Sequence, residues 1–369
     1  MPSNIWTHHN PVKITSGPGA LSQLHNLVPE HGALLLLTTP GFSRRGAVAQ
    51  ICEQLGRERV HVHDRISPNP DLDDLDQVVR EYRRFEFSCV VGLGGGSVLD
   101  TAKVLGTTLA LDMESPLDSL LRHKQNQAPY APIPITAIPA TSGTGAEVTP
   151  FATVWDGKNQ KKHSLAGEHV YPKQALLDPE LTLSLPYRQT LHTGLDAISH
   201  ALESLWNKNR TPISAAEALQ ALRLGNQALP VALKEPQNLE ARTMMQEASL
   251  LAGLAISQSK TAIAHSISYP ITIHYQVPHG LACSFTLPGL IKLYAASLRE
   301  GEEKDILIQT QETLSKVGLH TEICRYIQSK TMQEYTRKMF QTTRANNFVL
   351  QLGEEDIKNL LDKSLSDCF

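Results

Sequence analysis

Hydrophobic and polar positions change rhythm along the chain. In the first half, short apolar runs bounded by turn residues alternate with helical periodicity. Residues 33–38 (ALLLLT) form a continuous apolar run, as a parallel strand covered on both faces requires. Residues 60–66 and 89–93 read as further strands, 12–16 (VKITS) as an edge strand, and 19–27 as a short amphipathic helix. Residues 71–85 (DLDDLDQVVREYRRF) have helical spacing, with acids in the first turns and arginines at the end, matching the helix dipole. Another strand is expected at 132–140, a hairpin at 149–155 and 161–166 around Asp156-Gly157, and a last short strand with an exit turn at 174–183. This alternation predicts a doubly wound α/β domain over residues 1–184. From Pro186 the period is helical: 186–207, 212–232, 238–258, 260–274, 285–299, 304–317, 321–329 and 354–364. An all-α domain is therefore expected over residues 185–369.

Composition narrows the class. The 369-residue chain is 41% hydrophobic and 19% charged with a net charge of −3, which gives no argument for nucleic acid or an anionic membrane as a partner. No apolar run approaches the ~18–20 residues that span a bilayer, and the N-terminus lacks the apolar core of a signal peptide, so a cytoplasmic location is expected. The five cysteines (Cys52, Cys89, Cys283, Cys324, Cys368) are scattered, without a CxxC, and read as reduced thiols.

Three stretches carry candidate chemistry. Gly94-Gly95-Gly96-Ser97 follows a strand and opens a helix, the arrangement of a phosphate cradle, although a tight strand-to-helix turn has the same pattern. It is not the GxGxxG fingerprint, since Ser97 stands where the last glycine belongs. The stretch from Thr141 through Ser142, Gly143, Thr144 and Gly145 is a second glycine- and hydroxyl-rich loop, able to line a nucleotide or simply to turn. Asp196 and His200 lie four apart, on one face of a helix, and with His265 and His279 form a candidate metal site. One carboxylate with three imidazoles suits Fe²⁺ or Zn²⁺ rather than Mg²⁺ or Ca²⁺; a DxxxH pair is also the pattern of a surface pair or a helix cap.

Five stretches in order, GLGGGSVLDTAK (92–103), IPATSGTGAEVT (138–149), LLDPELTLSLP (176–186), TGLDAISHALE (193–203) and HSISYPITIHYQVPHG (265–280), resemble the iron-containing (group III) alcohol dehydrogenases. The resemblance implies a Rossmann-like nucleotide-binding domain and a C-terminal helical metal-binding domain, a dehydroquinate synthase-like architecture with the metal in the cleft. It implies Asp196, His200, His265 and His279 as ligands of Fe²⁺, with Zn²⁺, Mn²⁺ and Co²⁺ acceptable to the same shell. Gly95, Gly96 and Ser97 match the pyrophosphate loop, with Asp100 nearby and Thr39 at the end of the first central strand. Thr141, Ser142 and Thr144 match the loop along the nucleotide, Lys162 a lysine near the ribose, and Asn69 a residue of the cofactor cleft. A homodimer is a further family expectation.

The chain departs from the commonest pattern of the family. Tyr269 stands where many members have a second histidine assigned to proton transfer, leaving Tyr269, His274 and His192 as relay candidates. No acidic residue follows the first strand, and Arg44 and Arg45 lie close by, which favours the 2′-phosphate of NADPH over NADH. The SYPIT variant, KKHSLA (161–166) and LACSFTLPG (281–289) resemble a phosphonate-associated branch that reduces phosphonoacetaldehyde to 2-hydroxyethylphosphonate. The substrate anion would need a cation, for which Lys161, His163 and Arg344 are candidates. The implied reaction is hydride transfer between nicotinamide C4 and a small aldehyde or alcohol held at the metal. Its rivals are a general short-chain alcohol dehydrogenase, a dehydroquinate-synthase-like lyase, which Asp196 disfavours, a metal-independent maleylacetate-reductase-like enzyme, and a nucleotide-binding regulator without turnover.

Overall fold

The computed structural model describes residues 5–125, 131–159, 161–327, 339 and 344–366. The chain divides into two compact units, one of Pro11–Thr141 and Ala146–Leu181, the other of Met1–Asn10, Ser142–Gly145 and Thr182–Phe369.

In the first unit a six-stranded parallel sheet runs in the order β1-β8-β5-β4-β2-β3. Its strands are β1 (Lys13–Ser16), β2 (Ala33–Leu37), β3 (Val60–His63), β4 (Phe87–Gly94), β5 (Ile135–Pro139) and β8 (Gln174–Leu177). An antiparallel hairpin, β6 (Phe151–Asp156) and β7 (Lys161–Ala166), stands apart from it. The helices are α1 (Pro40–Arg44), α2 (Ala47–Leu55), α3 (Leu72–Tyr82) and α4 (Gly96–Thr108). The leucine run of β2 shows why the strand is apolar throughout. Leu34 and Leu36 pack with Ile51 and Leu55 of α2, whereas Leu35 and Leu37 pack with Val79 and Tyr82 of α3 and Val98 of α4. Both faces are covered, which is the doubly wound arrangement expected. Asp71 caps α3, accepting from Asp73 N–H at 2.9 Å. The helix expected at 19–27 is a 3₁₀ segment, Ala20–Asn26; the N–H groups of Gly19, just before it, and of Leu21, in its first turn, donate to the Asp178 carboxylate.

The second unit is helical: α5 (Tyr187–Leu205), α6 (Pro212–Lys234), α7 (Leu239–Ser259), α8 (Ile263–Tyr275), α9 (His279–Ala282), α10 (Leu287–Ala295), α11 (Glu302–Lys316), α12 (Leu319–Ile323) and a last helix, Glu354–Ser364. Helix α5 is central and almost wholly buried from Thr190 onward, packing on α6, α7, α8 and α9. Residues 328 and 329 of the segment expected at 321–329 lie outside the described residues. Two segments of the expected first domain belong with the helical unit instead. His9 exchanges backbone bonds with the Gln258 side chain on α7, and Gly143 and Gly145 lie against α5 and α7.

Cys52, Cys89 and Cys283 are thiols, but Cys324 is disulfide-bonded. That corrects the expectation of five reduced thiols. Pairing depends on tertiary proximity, which scattered cysteine positions do not encode. Cys368 lies outside the described residues. Among the described residues no helix is long and apolar enough to cross a membrane.

Candidate functional site

The metal candidates all lie in the helical unit. Helix α5 carries Asp196 and His200, α8 begins at Ile263 and so presents His265 in its first turn, and α9 opens with His279. Asp196 Oδ1 stands 3.8 Å from His200 Nε2 and 3.8 Å from His265 Nε2. The His200 and His265 rings stack with centroids 4.8 Å apart, and His279 meets His265 edge-on at 5.4 Å. The four predicted donors are thus brought together, and Asp196, His200 and His265 are buried.

Two of the imidazoles are held by their other nitrogen. His200 Nδ1 faces the Gly143 carbonyl oxygen at 3.2 Å, and His265 Nδ1 faces Glu203 Oε2 at 2.6 Å. With both Nδ1–H groups donating, both Nε2 lone pairs point at the Asp196 carboxylate, the orientation metal-binding histidines adopt. Glu203 is fully buried and also accepts from the N–H groups of Ala262, Ala264 and His265 at 2.9, 2.6 and 3.3 Å. It therefore caps α8 while orienting that helix's first ligand. Burial pushes its carboxyl up to about 7, against the backbone donors that hold it down. Gly280 permits α9 to approach α5: a Cβ there would sit 1.9 Å from the His192 carbonyl oxygen and 3.0 Å from Asp196 Cβ.

Sequence reasoning missed two residues here. Glu203 follows Asp196 by seven and His200 by three, the same helix face, and that spacing was a readable signal. Cys283 is fully buried, its sulfur 3.6 Å from both ring nitrogens of His279. One donor atom each from Asp196, His265, His279 and Cys283 lies within 4.8 Å of the others, and His200 stands outside that set. Four-coordinate shells with bonds of about 2.0–2.3 Å place their donors about 3–4 Å apart, so small side-chain movements suffice to close this cluster on an ion.

The three relay candidates separate. Tyr269, four residues after His265, lies on the same face of α8 and carries the Arg344 guanidinium over its ring at 5.2 Å. His274, nine residues after His265, falls on the opposite face and is exposed. His192 is turned to Glu322 Oε1 at 3.5 Å, and burial lowers its pKa.

In the α/β unit the predicted nucleotide residues follow the carboxyl ends of adjacent strands: Thr39 after β2, Asn69 after β3, Gly95 to Ser97 after β4, and Thr141 after β5. Between β2 and β4 the strand order reverses, which is where open α/β sheets bind ligands. A Cβ at Gly94 would meet Val98 at 2.6 Å, and one at Gly95 would crowd Thr141 at 3.3 Å, so glycine is what lets β4 turn directly into α4. Asn69, at φ 53°, donates its N–H to Ser97 Oγ at 3.3 Å. Asp100 faces inward, accepting from Thr153 N–H at 2.9 Å with the Lys103 ammonium at 3.9 Å. Lys162 lies over the Trp155 ring at 5.3 Å. Ser142 and Thr144 belong to the helical unit, where Gly143 packs on the Thr193 backbone. Beyond β2, Arg44 bonds the Pro40 carbonyl and Arg45 covers the Phe42 ring, while Asp64, the residue after β3, accepts from Ser43 Oγ at 2.5 Å.

A glycine turn at a switch point and an imidazole–carboxylate donor set in one chain describe a protein built to bind a nucleotide and a divalent metal ion. The chain belongs to the iron-containing alcohol dehydrogenase family: the model of that name matches residues 11–179, and that of the Fe-containing alcohol dehydrogenase family, C-terminal, matches 190–367. It is an NAD(P)-dependent enzyme of that type acting on CH–OH. Among its relatives, sulfoacetaldehyde reductase of Bilophila wadsworthia is 33% identical over 77% of this chain and 73% of its own. Phosphonoacetaldehyde reductase of Streptomyces viridochromogenes is 36% identical over 69% and 65%. The crystal structure of sulfoacetaldehyde reductase from Bifidobacterium kashiwanohense in complex with NAD⁺ superposes with a TM-score of 0.91 at 27% identity, covering 98% of this chain and 99% of that one.

Proposed function

We propose that the protein reduces phosphonoacetaldehyde to 2-hydroxyethylphosphonate with NADPH, by hydride transfer from nicotinamide C4 to the carbonyl carbon. The observation that carries the metal-dependent part is the aim of two imidazoles: Gly143 and Glu203 hold the Nδ1 atoms of His200 and His265, so their Nε2 atoms face Asp196. Asp196, His200, His265 and His279 would hold the ion, Fe²⁺ in this reading. When bound, a divalent ion supplies Lewis acidity, polarising the carbonyl and stabilising the developing alkoxide. Gly95, Gly96 and Ser97, at the N-terminus of α4, would receive the pyrophosphate, with Asn69 bracing Ser97. The exposed guanidinium groups of Arg44 and Arg45 support a 2′-phosphate. Tyr269 is the relay candidate on the ligand face of α8, and its phenol would pass the proton to the product oxygen.

The anionic substrate is supported by Arg344. Its guanidinium lies over the Tyr269 ring at 5.2 Å, within the influence of the Glu203 carboxylate, and burial lowers its pKa. Lys161 is exposed, and His163 is tied to Asp156 at 3.3 Å. The two curated relatives described above act, by name, on two-carbon aldehydes bearing a tetrahedral oxyanion. The test is NADPH oxidation by Fe²⁺-loaded protein with phosphonoacetaldehyde or propanal at equal concentration. A preference of ~100-fold in kcat/KM, about 2.7 kcal/mol, is expected for the phosphonate. Equal or better use of propanal would leave a general short-chain alcohol dehydrogenase.

A further inference from the structure

Cys283 is not part of the donor set that the four predicted ligands make up, yet its position is more constrained than packing alone asks. It terminates α9, one turn after His279, with its N–H donating to the His279 carbonyl at 2.9 Å. Its own carbonyl accepts from Ser199 Oγ at 3.1 Å, and the next residue, Ser284, donates its hydroxyl to the Leu195 carbonyl at 3.0 Å. Those two bonds, one to the Cys283 carbonyl and one from the Ser284 hydroxyl, tie this end of α9 to α5 on either side of Asp196. The thiol is fully buried, 3.6 Å from both His279 nitrogens, and within 4.8 Å of donor atoms of Asp196 and His265.

We infer that Cys283 is itself a metal donor, placing a thiolate in the shell with Asp196, His265 and His279. This rests on the reading of these residues as a metal centre. A sulfur donor changes what the site prefers. Thiolate favours Zn²⁺ and Co²⁺ over the harder Mn²⁺, whereas the carboxylate and imidazoles alone discriminate less. His200, its Nε2 3.8 Å from Asp196 Oδ1, keeps its place in the shell, and the thiolate adds a fifth, softer donor.

The test is the absorption spectrum of the protein loaded with Co²⁺. A thiolate-to-cobalt charge-transfer band in the near ultraviolet is expected in the wild type. In Cys283→Ser and Cys283→Ala the band should vanish while cobalt remains bound stoichiometrically, and the affinity ratio of Zn²⁺ to Mn²⁺ should fall by ~10-fold or more. Wild-type protein that binds cobalt without the band overturns the inference and leaves the four-ligand site standing. A band that survives in both variants also overturns it, since the sulfur then comes from elsewhere. Wild-type protein that binds no cobalt overturns both this inference and the metal centre on which it rests. The wild-type spectrum decides the question even if neither variant folds.

Discussion

Glu203 positions His265 from behind, and its loss is expected to be felt at the ion. The carboxylate accepts from three backbone N–H groups and from the imidazole, so Glu203→Gln keeps the shape and removes the charge. Metal affinity should fall ~10–100-fold in a chelator competition; unchanged affinity would contradict the role. Gly280→Ala tests the approach of α9 to α5. Its Cβ would collide with the His192 carbonyl at 1.9 Å, so a loss of about 1–3 kcal/mol is expected in denaturant unfolding, together with weaker metal retention. Arg344→Ala should raise KM for phosphonoacetaldehyde ~10–100-fold and leave propanal kinetics unchanged, with partial rescue by Arg344→Lys. A parallel loss on both substrates would make Arg344 structural. At this scale the candidate pair Asp196 and His200 was readable from its helical spacing, whereas His265 and His279, fourteen apart, were named through the resemblance to the family. The Gly143 carbonyl was not readable: a backbone oxygen of a distant segment leaves no mark in the sequence.

At the scale of elements, α5 and α4 organise the two units. Asp196, His200 and Glu203 share one face of α5, so a single helix supplies two donors and the group that orients a third. The alternation of apolar strands and amphipathic helices was legible because each β2 leucine must meet α2 on one face or α3 and α4 on the other. The loop at 141–145 was legible only in part. Its glycines suggested a nucleotide, but Gly145 sits at φ 58° with a Cβ position 2.4 Å from the Gly253 backbone, so helix packing already requires glycine there. The turn α9 escaped notice because four residues are too few for a period. Helix α4 also buries Lys103, which donates to Thr149 Oγ1 and the Phe151 carbonyl. Burial lowers its pKa to about 8. Below that value the folded and unfolded chains both carry the charge; between about 8 and the ordinary lysine value of about 10.4 the unfolded chain binds more protons. This group's contribution to stability therefore rises with pH across that window. The unfolding free energy of wild type minus that of Lys103→Met should increase from pH 8 to pH 10, and a difference independent of pH would contradict the placement.

At the scale of the whole molecule, one chain carries an α/β unit and a helical unit, each with its own candidate site. In the proposed reading, the carboxyl ends of β5, β4, β2 and β3, with their glycine turn and helix N-terminus, would receive the nucleotide, and the carboxylate, three imidazoles and thiol of the helical unit would hold the ion. A net charge of −3 gives no long-range attraction for an anionic substrate, so recognition of a phosphonate has to be local, at a cation such as Arg344. The central claim is that turnover depends on a divalent ion held by Asp196, His200, His265 and His279. The most direct measurement follows NADPH oxidation with an aldehyde by chelator-stripped protein, before and after anaerobic addition of Fe²⁺, alongside His265→Ala and with metal content determined for each. The expected result is background activity in the stripped protein, recovery with Fe²⁺, and neither metal nor activity in the variant. Full activity in the stripped protein, or a His265→Ala variant that keeps its metal and its full kcat, would contradict it.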